Sequence, residues 1–551
     1  GEIDVDGTGE PWEYLDSKAT RKYDAITPET VWDSLNWTVH GGAETWQMTP
    51  SSHRVAVTWN GTINHEWENT ANWTFPDSSA FIPDVSNKIT IPAGLQHNPT
   101  ISYAAFCHEI TLESDSLANA SILGNEYLHM NADAIVQQYI SGGTITKDDP
   151  NAIYHFASSP LSSTNAINVF PATSYVRHWD EVNQAWVNLS GPDSLETGKG
   201  YSVWLADGSA IVSYTGHLND VDIIPALTYT TGNTGNPDFD GYNLVGNPYP
   251  SGLDWNAGTW NKNNLDASIA IWDGDAGNYL YWNGIAGGIT DGLIPPCQGF
   301  FVRANAAFPS LTIPMDARVH SDTLNYKDGR MPDGLIKFAV DGDEYLYWDA
   351  AYIGFKETAT TNFDTQFDAF KLQGLEYAPQ LFSKNSKGQE LSLNFLSMEE
   401  VVQVPLGFRT GYNGTFTLHA EGMNGFGENI DIQLSDLKLG THIDLRQTSL
   451  YTFDYNQGDD PDRFILTVSD LTSLGEANAE SMVKVYSSHQ QIIVHTPVNQ
   501  GEIVMFNLLG QEVLRQKISD HQSIIPAESG NIFLLRVMCP HNISLHKIFV
   551  K

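Results

Sequence analysis

Hard oxygen donors at alternate positions beside glycine recur three times in this chain: Asp4, Asp6 and Glu10 in "DVDGTGE", Asp273 and Asp275 in "DGDAGN", and Asp341, Asp343 and Glu344 in "DGDE". A loop that wraps Ca²⁺ needs carboxylate oxygens close in sequence and a backbone free to turn sharply between them. None of the three completes a twelve-residue loop with a closing bidentate Glu, so solvated acidic turns are the other reading of the same residues. Calcium is the cofactor these loops suggest, and none is required.

Other chemistry is harder to find. "NHEWENT" sets His65 beside Glu66 but lacks the second His that would complete a zinc-hydrolase helix. No nucleophile elbow, phosphate loop or dinucleotide fingerprint occurs. Trp255, Trp272, Tyr279, Tyr281 and Trp282 could line a sugar- or protein-binding face, since aromatic rings stack on sugars and anchor interfaces, although in strands half of them should point inward. The Trp59, Trp67 and Trp73 group is read as core. His489, His495, His521, His541 and His546 lack ligand spacing and read as exposed β-surface residues.

The elements that must position these residues are β-strands. The 551-residue chain is 41% hydrophobic and 11% aromatic, with 46 Gly and 26 Pro, a texture of short strands and many turns and too long for one core. Its formal net charge of −38 argues against nucleic-acid or anionic-bilayer partners. No apolar run would span a bilayer. Cys107, Cys297 and Cys539 are too few and too far apart for a disulfide framework. Because no charged-then-apolar leader follows Gly1, the chain is expected to be processed or cut from a longer polypeptide.

An all-β, multidomain organisation is expected, with tandem sandwich and solenoid-like domains. Residues 1–54 read as the end of a preceding β-domain or an irregular segment, and 55–150 as a Trp-rich β-domain of solenoid type. Residues 151–330 hold a duplicated unit. "YHFASSP" at Tyr154 matches "YNLVGNP" at Tyr242, "HWDEVNQAW" matches "IWDGDAGNYLYW", and "GKGYSV" matches "CQGFFV", so the copies span about 154–216 and 242–316. In each, the Gly before the aromatic (Gly200, Gly299) is expected to supply a turn with positive φ. Residues 331–470 read as a β-sandwich and 471–482, small and polar, as a linker.

Residues 483–551 carry six basic side chains against four acidic ones, unlike the rest of the chain. The runs "VKVYSS", "QIIVHT", "EIVMFN", "QEVLRQKI", "NIFLLRVM" and "SLHKIFVK" imply about seven short strands in a small immunoglobulin-like sandwich, with a tight hairpin at Asn507–Gly510. This end closely resembles the type A C-terminal sorting domain of proteins exported by the type IX secretion system of Bacteroidota. The resemblance rests on three motifs in order: "FNLLGQEV", Gly530 before "IFLLRV", and the closing Lys547-Ile-Phe-Val-Lys551.

The resemblance implies a secreted or cell-surface cargo, adhesive or structural and not an enzyme. Its terminal domain would be read by the outer-membrane translocon and its shuttle and sortase components. Gly510, Glu512, Val513, Gly530, Arg536, Lys547 and Lys551 would form the sorting signal, and Gly475, Glu476, Ala477, Asn478 and Ala479 the segment for processing. A surface glycan or protein would be the cargo's own ligand. The rival expectation is a secreted hydrolase, for example polysaccharide-degrading, whose catalytic domain lies upstream or carries no familiar motif.

Overall fold

β-Branched and aromatic residues in short runs, broken by Gly, Pro, Asn and Asp, can bury their apolar atoms only by pairing into sheets. The computed structural model describes residues 17–21, 33, 35, 37–41, 56–320, 331–470 and 483–550, apart from 77, 79, 143–145, 148, 150, 151, 163, 166–168, 191, 192, 233–235, 400, 489, 497, 508–510, 540 and 541. The protein is all-β, and its named helical elements are 3₁₀ turns of three residues each. Among the described residues no helix is long and apolar enough to cross a membrane. Asp4, Asp6, Glu10, the segment Gly475–Ala479, His489, Gly510, His541 and Lys551 lie outside the described residues. Two compact units result: one runs to Val468 without residues 428–431, and the other comprises those four and the described residues from Ser469 onward.

The first unit begins as a short solenoid. Strands Ala56–Trp59, Lys88–Ile91, Glu109–Leu112 and Ala134–Ile140 each pair in parallel with the next. Val57, Ile89 and Ile110 therefore form one inward ladder, and Ile91, Leu112 and Val136 another, all fully buried. The ring of Trp73 closes this end edge-on against Trp59 and Trp67, at 4.9 and 4.7 Å. Indole N–H groups of Trp59 and Trp73 donate to the carbonyls of His97 and Trp67, so the buried rings leave those two donors satisfied. The last strand of the first repeat's span, Ala210–Gly216, crosses over to pair antiparallel with Ala134–Ile140.

The duplicated region forms two four-stranded sheets with one topology. In the first, His155–Ser158, Gly200–Trp204, Tyr175–Asp180 and Ala185–Asn188 lie in that spatial order; in the second, Tyr242–Gly246, Gly299–Ala304, Leu265–Asp273 and Asn278–Trp282 do. The copies meet about an approximate two-fold. Ala157 bridges Gln298 while its equivalent Val245 bridges Lys199, the equivalent of Gln298. Likewise Ser158 N–H donates to the Cys297 carbonyl at 2.8 Å and Gly246 N–H to the Gly198 carbonyl at 3.0 Å. Each contact is made twice with roles exchanged, the signature of a self-complementary patch.

The positive φ expected at Gly200 and Gly299 sits two residues earlier, at Gly198 (78°) and Cys297 (59°). Gly200 and Gly299 serve a different need, which is close approach. A Cβ on Gly200 would lie 2.6 Å from the Val245 carbonyl oxygen, and one on Gly299 would lie 3.1 Å from the Cβ of Phe156.

Residues 331–470 form a single eleven-stranded sheet, where two facing sheets are expected from the sequence. So long a sheet curls. Phe408, on the strand Val401–Arg409, packs against Phe416 on Gly414–Glu421 and Phe453 on Leu450–Tyr455 at 4.8 and 5.0 Å, although several strands separate them in the hydrogen-bonded order. The curled sheet thus builds a two-layered core from one ribbon.

The described residues of 483–550 form seven strands in two sheets. Lys484–Ser488, Gln491–His495 and Gln522–Pro526 form one; Glu512–Ile518, Gly501–Phe506, Ile532–Cys539 and Asn542–Phe549 form the other. Gln522–Pro526 is the strand the six sequence runs leave out. Ile492, Val494, Ile503, Ile525, Leu535, Val537 and Val550 fill the space between the sheets.

Candidate functional site

The expected sorting residues are set by the four-stranded sheet of the terminal unit. Residues Asn507 and Gln511 close the hairpin, the Asn507 N–H donating to the Gln511 carbonyl at 3.0 Å and the Gln511 N–H to Asn507 Oδ1 at 3.0 Å. The pairing then shifts register between Met505 and Phe506, where Met505 faces Leu514 and Phe506 faces Glu512, and this leaves Val513 as an exposed bulge residue. Gly530 has φ 82° with open space around its α-carbon, so backbone conformation alone selects glycine there. Its N–H donates to the Val550 carbonyl at 2.7 Å, and the turn it makes allows Ile532 to pair with Phe549.

Register brings several of these residues to one face. Arg515 and Arg536 both stand opposite Val504, and Lys547 stands opposite Leu534, two residues from Arg536. The core side chains Ile503, Leu535 and Val537 alternate with them and point the other way. On this outward face the Arg515 guanidinium grips Glu512 at 2.6 and 2.9 Å and Glu502 at 2.6 Å. The Arg515 guanidinium holds the Glu512 carboxyl below the ordinary range. The guanidinium of Arg536 lies 5.5 Å from the ring centre of Phe506. Lys547 is exposed. The result is a strip on which two carboxylates hold Arg515 while Arg536 and Lys547 add positive charge, and whose closing strand is a sheet edge.

The described histidines of this unit make local bonds. His495 meets the Tyr486 hydroxyl at 3.0 Å, His521 the Thr496 carbonyl at 3.0 Å and His546 the Ser544 hydroxyl at 2.9 Å. Among the described residues no three His, Cys, Asp or Glu side chains are grouped to hold a metal ion. Asp273 Oδ1 is instead occupied by the N–H groups of Asp275 and Ala276, an Asx turn that closes the hairpin of the second copy. Asp341 Oδ2 lies 2.8 Å from His419 Nε2, and Asp343 Oδ1 accepts from the Thr415 N–H at 3.3 Å. The two Asp pairs are thus placed at separate hairpins and do not converge.

The five aromatic residues that could have formed a binding face are all buried or half-buried. Trp255 donates its N–H to the Ala267 carbonyl, and Tyr281 accepts from the Leu372 N–H with its hydroxyl. The Trp272–Tyr279 pair of the second copy and the Trp179–Trp186 pair of the first share one edge-to-face geometry, at 5.0 and 5.3 Å. Phe156 and Phe301 complete this cluster, 5.5 Å apart. These rings hold the two copies together.

A cavity of about 230 Å³, missed by sequence reasoning, opens beside that junction and is lined by polar groups, among them His178, Glu181, Glu196, Lys199 and Asn243, and by apolar ones such as Val182, Pro225 and Leu244. Glu196 holds the Lys199 ammonium at 2.8 Å. Glu181 accepts from the Thr230 N–H, the Thr230 hydroxyl and the Gly241 N–H, so its buried carboxylate is spent on the chain itself. Burial, with Lys199 adding to it, keeps His178 below its ordinary range and favours the neutral ring. The cavity thus offers a neutral imidazole at His178 beside an ammonium already paired with Glu196 and a carboxylate already bonded to the chain. No spacing in the sequence marks it, because it forms between the first copy and the entry to the second.

A family described as a domain of unknown function, DUF8693, matches residues 58–468, and the chain belongs to it. That match takes in the solenoid, both copies and nearly all of the curled sheet, and it ends before the terminal seven-stranded unit. No curated protein matches the chain.

Proposed function

We propose that this chain is a secreted or cell-surface cargo of the type IX secretion system, adhesive or structural, with residues 483–551 as its export and surface-attachment signal. The observation that carries the reading is that the motif-bearing segment closes on a core of its own while Glu512, Arg536 and Lys547 share its outward face. A signal read as a folded object needs such independence, because the translocon must recognise it whatever cargo precedes it. In this reading the DUF8693 part is the passenger, it catalyses no reaction, and its ligand is a surface glycan or protein.

The test uses a host with type IX machinery. Deleting Leu545–Lys551 removes most of the strand that pairs with Ile532–Cys539 and should trap the cargo inside the outer membrane. Fusing residues 470–551 to an unrelated periplasmic protein should carry that protein to the surface. Export of the truncated chain at the level of the intact one would show that the terminal unit is an ordinary structural domain.

A further inference from the structure

The interior of the curled sheet holds an amine and a carboxyl group in contact. Lys371 Nζ lies 2.6 Å from Asp349 Oδ2, and the two side chains are 0% and 2% exposed. Asp349 sits on the strand Trp348–Phe355 and Lys371 follows the strand Ala369–Phe370, so 22 residues separate them in sequence. A second donor aims at the same carboxyl oxygen: the Leu381 N–H lies 2.6 Å from Asp349 Oδ2. Arg409 and Glu390, the next charged groups around Lys371, are bonded to each other at 2.8 Å through both guanidinium nitrogens.

We propose that Lys371 and Asp349 condense to an intramolecular isopeptide bond that clips the 356–368 segment into the sheet. The chemistry is that of an amide formed from an amine and a carboxylic acid. One proton passes from the Lys371 ammonium to the Asp349 carboxylate, leaving a free amine and a neutral acid. The proton rests on Oδ2, the oxygen in contact with Nζ and with the Leu381 N–H; the nitrogen lone pair attacks Cγ and negative charge develops on Oδ1. A second proton then moves from nitrogen to Oδ2, which leaves as water, Oδ1 returns to a carbonyl, and the C–N bond remains. No oxidant, nucleotide or second reactant is consumed.

Burial favours each step. It drives the Lys371 amine down and the Asp349 carboxyl up, so both are displaced toward the neutral forms that react. Fixed contact replaces a bimolecular encounter. The released water leaves an interior that does not readmit it, which protects the amide from hydrolysis. The pair's two opposite charges, costly to hold away from water, are removed together. Arg463 and Asp436, at 2.8 Å and equally buried, are the internal control, since a guanidinium has no free amine lone pair with which to form an amide. The inference rests on the curled sheet alone and stands whether or not the terminal unit is an export signal.

The test is the intact mass of the purified, folded chain. A mass lower than the sequence mass by one water is expected, together with a branched proteolytic peptide joining the segments that contain Asp349 and Lys371. Lys371→Met and Asp349→Ala should each restore the full mass and abolish the branched peptide. An intact mass equal to the sequence mass would overturn the proposal. So would a water lost elsewhere, for instance by ring closure at Asp291-Gly292, with the Lys371 peptide linear. Because the decisive measurement is made on the unsubstituted chain, it holds even if a variant fails to fold.

Discussion

The two copies of the repeat have one topology but different surroundings. In the first, Tyr175–Asp180 is half-buried along its length and Ala185–Asn188 is mostly exposed. In the second, the equivalent strand has lengthened to nine residues, Leu265–Asp273, and it and its neighbour lie under the 364–372 segment of the curled sheet. Ala267 N–H donates to the Thr365 carbonyl, Ser268 Oγ to the Asp368 carbonyl, and Leu372 N–H to the Tyr281 hydroxyl. Duplication therefore preserved hydrogen-bonded order and the contact between copies, while each outer face changed with its neighbour. Strand order depends on the backbone ladder, which tolerates many side chains; burial depends on what lies opposite.

The shared contact is the place to break the comparison. Gly246 and Ser158 are equivalent, yet a Cβ on Gly246 would lie 2.1 Å from Ser158 Oγ and 2.7 Å from the Lys199 carbonyl. Gly246→Val should cost more than about 4 kcal/mol and leave little folded protein. Ser158→Gly, at the matching position, should cost only about 1–2 kcal/mol, mainly the hydrogen bond from Ser158 Oγ to the Asn247 carbonyl. Chemical denaturation of both variants checks this, and equal costs would refute the asymmetry.

The ring cluster sharpens it. Phe156 touches Trp186 of its own copy and Trp272, Tyr279 and Phe301 of the other. Phe156→Ala should cost about 3–5 kcal/mol and lower the stability of both copies in a single transition. Two separate melting steps in calorimetry would mean that the copies are energetically independent.

A smaller effect distinguishes the second copy alone. Asp368, beneath it, accepts from the Asp364 and Phe395 N–H groups, and burial, with Asp364 and Asp266 adding to it, pushes its carboxyl up to about 7. The folded chain then keeps this proton up to near neutrality, whereas an unfolded Asp releases it at about 4. The stability owed to Asp368 is therefore greatest at acid pH and falls as pH rises through that window, by about 1.4 kcal/mol per unit. Measured against Asp368→Asn, the unsubstituted chain should gain about 1–2 kcal/mol in relative unfolding free energy between pH 7 and pH 5.5. A difference that stays flat with pH would show that the carboxyl is already ionised.

Much of this architecture was written locally in the chain. The all-β class followed from composition and turn residues, the repeat from three blocks in a fixed order, and the hairpin after Phe506 from "NLLGQE". Each depends on residues near one another in sequence, where propensity and turn chemistry act. Gln522–Pro526 escaped because five residues ending in proline barely differ from a loop; pairing with Gln491–His495 is what makes them a strand. Only the tertiary structure decided that residues 331–470 curl as one sheet, and that Trp272 and Tyr279 pack against Phe156 of the other copy. It alone placed Lys371 against Asp349. Those outcomes are set by contacts between distant parts of the chain, which depend on shape and excluded volume and leave no period or spacing in the sequence.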